Sequence, residues 1–322
     1  MLVLDRDSGK AEHKYFPQIL EYFSPKDLLL LNDTRVIPAR LLGKKIPTGG
    51  KVEVLLLNEV KNEGWNALFR PSRRARPGTV IEFEPEGKAE VRNKRDGKGV
   101  ILKFAEGVDV GELIRKIGYP PLPPYIKRDL RRYPDDLKSR DRERYQTVFA
   151  RRPGAVAAPT AGFHFTEELL QEIRQLGVRI AWITLHVGYG TFQPVRAEII
   201  QEHKMHAEYY EISRETADEV NTLKERGGSL WVVGTTTVRA LESAADDGGR
   251  VGASSGWTDI FIYPGYRFKL DFNLVTNFHL PRSTLIMLVS ALAGKEKIMK
   301  SYREAIERGY RFYSFGDAML IL

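Results

Sequence analysis

Hydrophobic and polar positions follow two rhythms along the chain, and the change of rhythm predicts its organisation. Near the start, LVLDR, AEHKYF and DLLLLND read as strands, with a short helix over PQILEYF and a buried strand over KVEVLLLN (51–58). His13 falls in an alternating strand, at a solvent-facing position. GWNALF, TVIEFE, KAEVRN and GVILKF follow as short alternating segments separated by Gly, Pro, Asn and Asp, the pattern of a small antiparallel barrel or sandwich. YPPLPPYIKRDLRRYPDD (119–136) carries five prolines, which fit neither a helix interior nor a central strand, and predicts an extended connector.

From about residue 155 strands and helices alternate. Thr166 caps a helix with Glu167 and Glu168 in its first turn, and VRIAWITLHVG (178–188) is a buried strand. SRETADEVNTLKERG (213–227) is an amphipathic helix closed by glycine, SLWVV a strand, and TTVRALESAA, TLIMLVSALAG and KEKIMKSYREAIERG are helices. The predicted fold class is α/β: a largely parallel sheet covered by helices, with an inserted antiparallel β-barrel domain. Residues 1–58 and 153–322 form the α/β domain, and 59–152 the inserted module with its proline-rich connector.

Charge sharpens this division. The chain has 322 residues and a formal charge of +8, yet residues 61–152 hold 23 Lys+Arg against 14 Asp+Glu while the remainder holds 27 against 28. The excess therefore sits in one block, as expected for a polyanionic partner, or of a surface that is merely well solvated. The absence of cysteine excludes disulfides, cysteine-based zinc sites and a cysteine nucleophile. With no secretory signal at the N-terminus and no run of 18 apolar residues, a cytoplasmic protein without a membrane span is expected.

The candidate chemistry gathers at predicted strand ends, where open α/β sheets bind ligands. In LWVVGTTTVRALES (230–243) an apolar strand stops at Gly234. Thr235, Thr236 and Thr237 then offer hydroxyls and helix-start N–H groups, with Arg239 as a cation, a set suited to a carboxylate or a polar sugar. Five of the six histidines, His164, His186, His203, His206 and His279, lie beyond residue 160 in glycine-, threonine- or carboxylate-rich settings that suit acid–base chemistry, with some of them packing or orienting residues. GASSG (252–256) fits G-x-S-x-G but lacks the strand–turn–helix context, and GYGTFQ (188–193) lacks the last glycine of a dinucleotide motif. His203, His206 and Glu208 leave open a metal-dependent hydrolase, and the basic block leaves open a non-catalytic RNA-binding module.

Many blocks, in order, resemble one family: NDTRVIPARLLGKK (32–45), RYQTVFARRPGAVAAPTAGFHFT (144–166), TLHVGYGTFQPV (184–195), HKMHAEYYEI (203–212), VVGTTTVRALES (232–243), TNFHLPRSTLIMLVSALAG (276–294) and FYSFGDAMLI (312–321). The chain resembles the S-adenosylmethionine:tRNA ribosyltransferase-isomerases of queuosine biosynthesis, which carry a further leucine- and proline-containing segment ahead of LVLDR. The resemblance implies that S-adenosylmethionine is consumed as a ribosyl donor and that tRNA carrying 7-aminomethyl-7-deazaguanine at its wobble position is the acceptor. It also implies epoxyqueuosine-tRNA, adenine and methionine as products, no cofactor, no metal, and a monomer. His186 and His279 are then expected as the acid–base pair, with His164, His203 and His206 lining or orienting the site. Asp33, Thr34 and Arg35, with Thr235, Thr236, Thr237 and Arg239, are expected to hold S-adenosylmethionine. Arg70, Arg73, Arg74 and Arg76, with Lys127, Arg128, Arg131 and Arg132, are expected to face tRNA.

Overall fold

In a computed structural model of the chain, residues 1–85, 87–95, 99–192, 194–195 and 197–322 are described; the side chains of Arg74, Arg131 and Phe192 are not among the described groups. Strands β1 (Leu2–Leu4), β2 (Ala11–His13) and β3 (Leu28–Asn32) open the first unit, and β4 (Thr34–Val36) leads into the second. There β5 (Arg40–Ile46), β6 (Lys51–Val60), β7 (Gly64–Arg70), β8 (Val80–Phe83), β9 (Gly87–Lys94) and β10 (Gly99–Phe104) close an antiparallel barrel in the order β10-β7-β6-β5-β8-β9. Helices α1 (Val110–Ile117) and α2 (Asp135–Arg144) follow, and β11 (Arg152–Ala155) pairs with β4 in a separate two-stranded sheet. The return brings α3 (Glu167–Gln175), β12 (Arg179–Leu185), β13 (Glu208–Ile212), α4 (Arg214–Asn221), β14 (Leu230–Val233), α5 (Thr235–Ala244), β15 (Ser254–Thr258), β16 (Asn273–Asn277), α6 (Thr284–Ala293), α7 (Lys295–Glu307) and β17 (Ala318–Ile321).

The first unit comprises residues 1–34, 147–152 and 158–322, and the second 35–146 and 153–157. The boundary expected at residue 59 thus falls too late, because β5 and β6 are barrel strands. KVEVLLLN reads as a strand buried on both faces because Leu55 is buried as well as Val54 and Leu56 on the alternate face; a bulge between Leu56 and Asn58 follows. The barrel tolerates no side chain at Gly43: an added Cβ would lie 2.6 Å from Ile81 Cγ2 and 2.9 Å from Phe83 Cε1. The connector is irregular as far as Pro134, apart from a single turn at Leu130–Arg132, but α2 follows it without a sequence signal. Its run DDLKSRDRER holds one apolar residue, so no hydrophobic stripe announces it.

The first unit is built on a nine-stranded sheet in the order β15-β13-β12-β3-β14-β16-β17-β1-β2. β12, β3, β14 and β16 run parallel, as do β17 and β1, while β13, β15 and β2 add antiparallel and β16 meets β17 antiparallel. The parallel part of the predicted sheet is therefore its centre. There LLLLN and LWVV are buried throughout, whereas EYYEI of β13 alternates as a strand with one open face does. Leu29, Leu31, Phe165, Leu170, Ile173, Trp231, Val233 and Val275 form one core layer. His13, expected to face solvent, is instead half-buried: its ring nitrogens meet Tyr310 Oη at 2.7 Å and Glu304 Oε1 at 2.8 Å. No helix among the described residues is long and apolar enough to cross a membrane.

At the amino ends of the central strands one carboxylate ties three elements together. Buried Asp27 accepts hydrogen bonds from the Ser24 and Ser229 N–H groups at 2.8 Å each and from Trp231 Nε1 at 2.9 Å. Asp27→Ala strands these donors, one of them in the core. It is expected to lower unfolding stability by about 2 kcal/mol or more, read as a reduced denaturant midpoint by tryptophan fluorescence.

Candidate active site

Because β12, β3, β14 and β16 are parallel, their carboxyl ends share one edge of the sheet. That edge carries His186, Asn32 to Thr34, Gly234 to Thr237, and Asn277 to His279. Gly234 turns the chain into α5 at φ 88°, where a built Cβ would meet nothing closer than 3.5 Å, so conformation rather than space requires glycine. Thr237 Oγ1 donates to Val233 O at 2.6 Å and is fully buried, which commits it to holding the turn.

Thr235 and Thr236 line a small cavity of about 50 Å³ with Gly190, Thr191, His203, Lys204, His206, Glu208, Arg239, Ile260 to Ile262, Thr284, Leu285 and Leu288. Inside it Arg239 Nη1 forms a buried ion pair with Glu208 Oε2, and its Nε and Nη2 donate to Ile260 O at 3.2 Å and Thr258 O at 3.4 Å. Glu208 Oε1 accepts from Gly188 N at 2.6 Å and Thr191 Oγ1 at 3.5 Å. The cation assigned from sequence to a ligand carboxylate thus already has a carboxylate, supplied by the residue that sequence offered as a metal ligand. Such a pair is stable in a buried place because hydrogen bonds satisfy both ends. No group of three or more acidic or histidine side chains among the described residues could hold a metal ion.

A polar chain leads from this cavity along the strand tips. Asn32 Nδ2 donates to Thr236 Oγ1 at 3.2 Å and to Leu185 O at 3.0 Å, and its Oδ1 accepts from Leu185 N and Thr34 N at 3.1 Å each. Thr34 Oγ1 meets His186 Nδ1 at 2.8 Å. Burial pushes the His186 pKa below its ordinary value; Asp33 opposes that shift, Arg152 reinforces it and Glu211 opposes it. Asp33 accepts from Thr184 Oγ1 at 2.6 Å and from Arg151 Nη2 at 3.1 Å. Arg35 is exposed and begins the second unit. Sequence reasoning passed over Asn32; its signal was a polar residue closing an unbroken leucine run.

The histidines separate into two groups. His203 and His206 line the cavity, His203 edge-on to Phe261 with its pKa lowered by burial and then by His206. His279 does not reach it: burial lowers its pKa to about 3, its Nε2 meets Thr276 Oγ1 at 2.9 Å, and its N–H donates to Tyr302 Oη at 2.9 Å. His164, lowered to about 4 by burial and next by the N-terminal ammonium, packs on Phe16 and lies 3.3 Å from Asn277 Nδ2. Ser254, the serine of the G-x-S-x-G match in GASSG, sits half-buried at the start of β15, its Oγ donating to Gly252 O at 3.3 Å, without a nucleophile elbow.

The second unit carries a basic groove of about 1310 Å³. It brings Arg70 and Arg73 together with Arg128, and adds Lys44, Lys51, Lys116 and Lys138 to them, with Glu53, Glu82 and Glu84 also on its walls. Arg128 Nε is held by Asp141 Oδ2 at 2.6 Å, and Lys138 Nζ lies 4.2 Å from the centre of the Tyr119 ring. Arg76, Lys127 and Arg132 are exposed outside the groove lining. The side chains of Arg74 and Arg131 lie outside the described residues.

Comparison with known proteins agrees over the whole length. A family model described as queuosine biosynthesis protein matches residues 1–321. An S-adenosylmethionine:tRNA ribosyltransferase-isomerase of Clostridioides difficile is 51% identical over 323 residues, covering all of this chain and 92% of its own. One of Acetivibrio thermocellus is 52% identical with the same coverage. The crystal structure of the S-adenosylmethionine tRNA ribosyltransferase of Thermotoga maritima is 38% identical, with a TM-score of 0.52 over all of this chain and 91% of that one. The chain, with its barrel inserted in an α/β sheet and its polar strand tips, belongs to the queuosine biosynthesis protein family.

Proposed function

We propose that this protein transfers and isomerises the ribosyl group of S-adenosylmethionine onto 7-aminomethyl-7-deazaguanine at the tRNA wobble position, giving epoxyqueuosine-tRNA, adenine and methionine. Within a family of this kind, the carrying observation is the chain His186–Thr34–Asn32–Thr236, which joins a poised imidazole to the cavity at the start of α5. The sulfonium acidifies the ribose 5′ hydrogens. With Nδ1–H donated to Thr34, His186 Nε2 bears the lone pair that removes one of them, and its lowered pKa keeps it neutral at pH 7. The resulting ylide expels adenine, which takes a proton from His203 or His206 of the cavity. The acceptor amine then attacks the sugar, and epoxide closure displaces methionine.

Thr235, Thr236 and the first-turn N–H groups of α5 suit the ribose hydroxyls. Arg239 orients this wall through Glu208 rather than meeting the methionine carboxylate. A cavity of about 50 Å³ is far below the ~300 Å³ of ordinary ligand pockets, so its walls part when the donor enters. No cofactor or metal takes part, the protein acts as a monomer in the cytoplasm, and the basic groove of the second unit meets tRNA phosphates.

His186→Ala is expected to slow adenine release by roughly 100-fold. In the wild type the acid limb of kcat/KM should lie below pH 6.5, since the base must be neutral and burial lowers its pKa. Adenine release assayed across pH checks both. Arg70→Glu with Arg73→Glu should weaken tRNA binding and reduce the slope of log affinity against log salt by about one per lost phosphate contact, measured by filter binding. A chelator is expected to leave adenine release unchanged; its loss would restore the hydrolase-type metal reading.

A further inference from the structure

The edge strands of the sheet carry a second surface, on the face away from α5. Glu208 of β13 points to α5, where it meets Arg239, so its neighbours Tyr209 and Glu211 project from the opposite face. His186 N donates to Tyr209 O at 2.9 Å, and Tyr209 is the direct register partner of Trp257 on β15. Three rings therefore stand in one row across three strands. The His186 and Tyr209 centroids lie 5.8 Å apart at 23°, and those of Tyr209 and Trp257 5.9 Å apart at 70°. Trp257 is 56% exposed, in contrast to Trp231 at 2%.

The adjoining row is polar. Thr184, Glu211 and Ser255 are register partners, and Arg152 Nη1 reaches Glu211 Oε1 at 2.6 Å while its Nε lies 4.0 Å from Asp33. Arg151 covers the Trp182 ring at 4.5 Å, and both arginines are half exposed. A groove of about 740 Å³ is lined by Asp33, Arg151, Arg152, Trp182, Thr184 and Glu211 of this set.

We propose that the Tyr209–Trp257 row is a stacking platform that seats unpaired anticodon-loop nucleotides of the tRNA beside His186. The proposal rests on the ribosyl-transfer reading and specifies how the acceptor reaches its base. Unpaired bases bind proteins by stacking on aromatic side chains, and a row of rings across a sheet is a surface that offers them successive places. The neighbouring charges are mixed rather than uniformly basic. Arg151 and Arg152 match a phosphate, and Asp33 and Glu211 match a cationic aminomethyl arm, so the row fits a nucleotide bearing both. The donor cavity lies on the α5 face, and the His186–Thr34–Asn32–Thr236 chain runs around the strand tips between the two surfaces, which allows amine and sugar to meet at that edge.

The test uses the full-length protein and a fluorescent anticodon stem-loop RNA with guanine at the wobble position. Trp257→Ala removes an exposed ring and leaves the core intact. It should weaken binding by roughly 5- to 100-fold while keeping the salt slope, since stacking releases no counterions. Trp257→Phe should recover most of the affinity, and S-adenosylmethionine binding by calorimetry should be the same in all three proteins. A single abasic replacement at one anticodon position should abolish the difference between wild type and Trp257→Ala. Equal affinities of the two proteins overturn the platform, as does a difference that persists with every abasic RNA or enters through the salt slope. Adenine release by the wild type from S-adenosylmethionine and modified tRNA is measured separately, so failure of the ribosyl-transfer reading is distinguished from failure of the platform.

Discussion

A single buried amide organises the functional edge of this protein. Asn32, 1% exposed, uses both of its donors and accepts twice, linking β3 to the end of β12 and to the first turn of α5. A side-chain amide satisfied in this way in the interior is rigid, because breaking any one bond leaves a buried polar atom unpaired. Three parallel strands can end at one edge in many registers. Asn32 selects the one that puts Thr34 under His186 and Thr236 at the cavity wall.

The charged groups obey the same logic of enclosure. Arg239 and Glu208 are each costly to bury alone and stable together, and their pairing ties α5 to the backbone of Gly188 just after His186. His279 and His164, lowered to about 3 and 4 mainly by burial, are neutral at physiological pH and act in packing and hydrogen bonding. His186, half-buried and flanked by Asp33, Arg152 and Glu211, is also held below its ordinary pKa, chiefly by burial.

Much of this was legible in the residues because period and punctuation are local properties. The leucine run of β3, the apolar β12 and the stop at Gly234 marked the strand tips, and the turn-rich alternating segments marked the barrel. What stayed hidden depends on partners distant in the chain. Arg239 reads as a ligand-binding cation until Glu208, 31 residues away, is placed against it. Histidine in TNFHLP looks like histidine in TLHVGYG, and only packing around Tyr302 and Thr276 separates them. Trp257 follows a stretch that reads as a loop, and its alignment with Tyr209 follows from register across β13 and β15. Burial of Leu55 on the second face disguised β6, and α2, almost wholly charged, had no stripe to betray it.

The strand order has a bearing on how the molecule comes into being. β1 is formed by residues 2–4, yet it hydrogen-bonds in parallel with residues 319–321 of β17, and β3 waits for partners beyond residue 179 on one side and 230 on the other. During synthesis the early leucines of β3 therefore emerge without neighbours, while the barrel, whose strands lie within residues 40–104, can close by itself. The inserted module is set to mature first on the ribosome. The nine-stranded sheet, whose strands join residues far apart in the chain, is the part that depends on shielding from aggregation until β17 arrives.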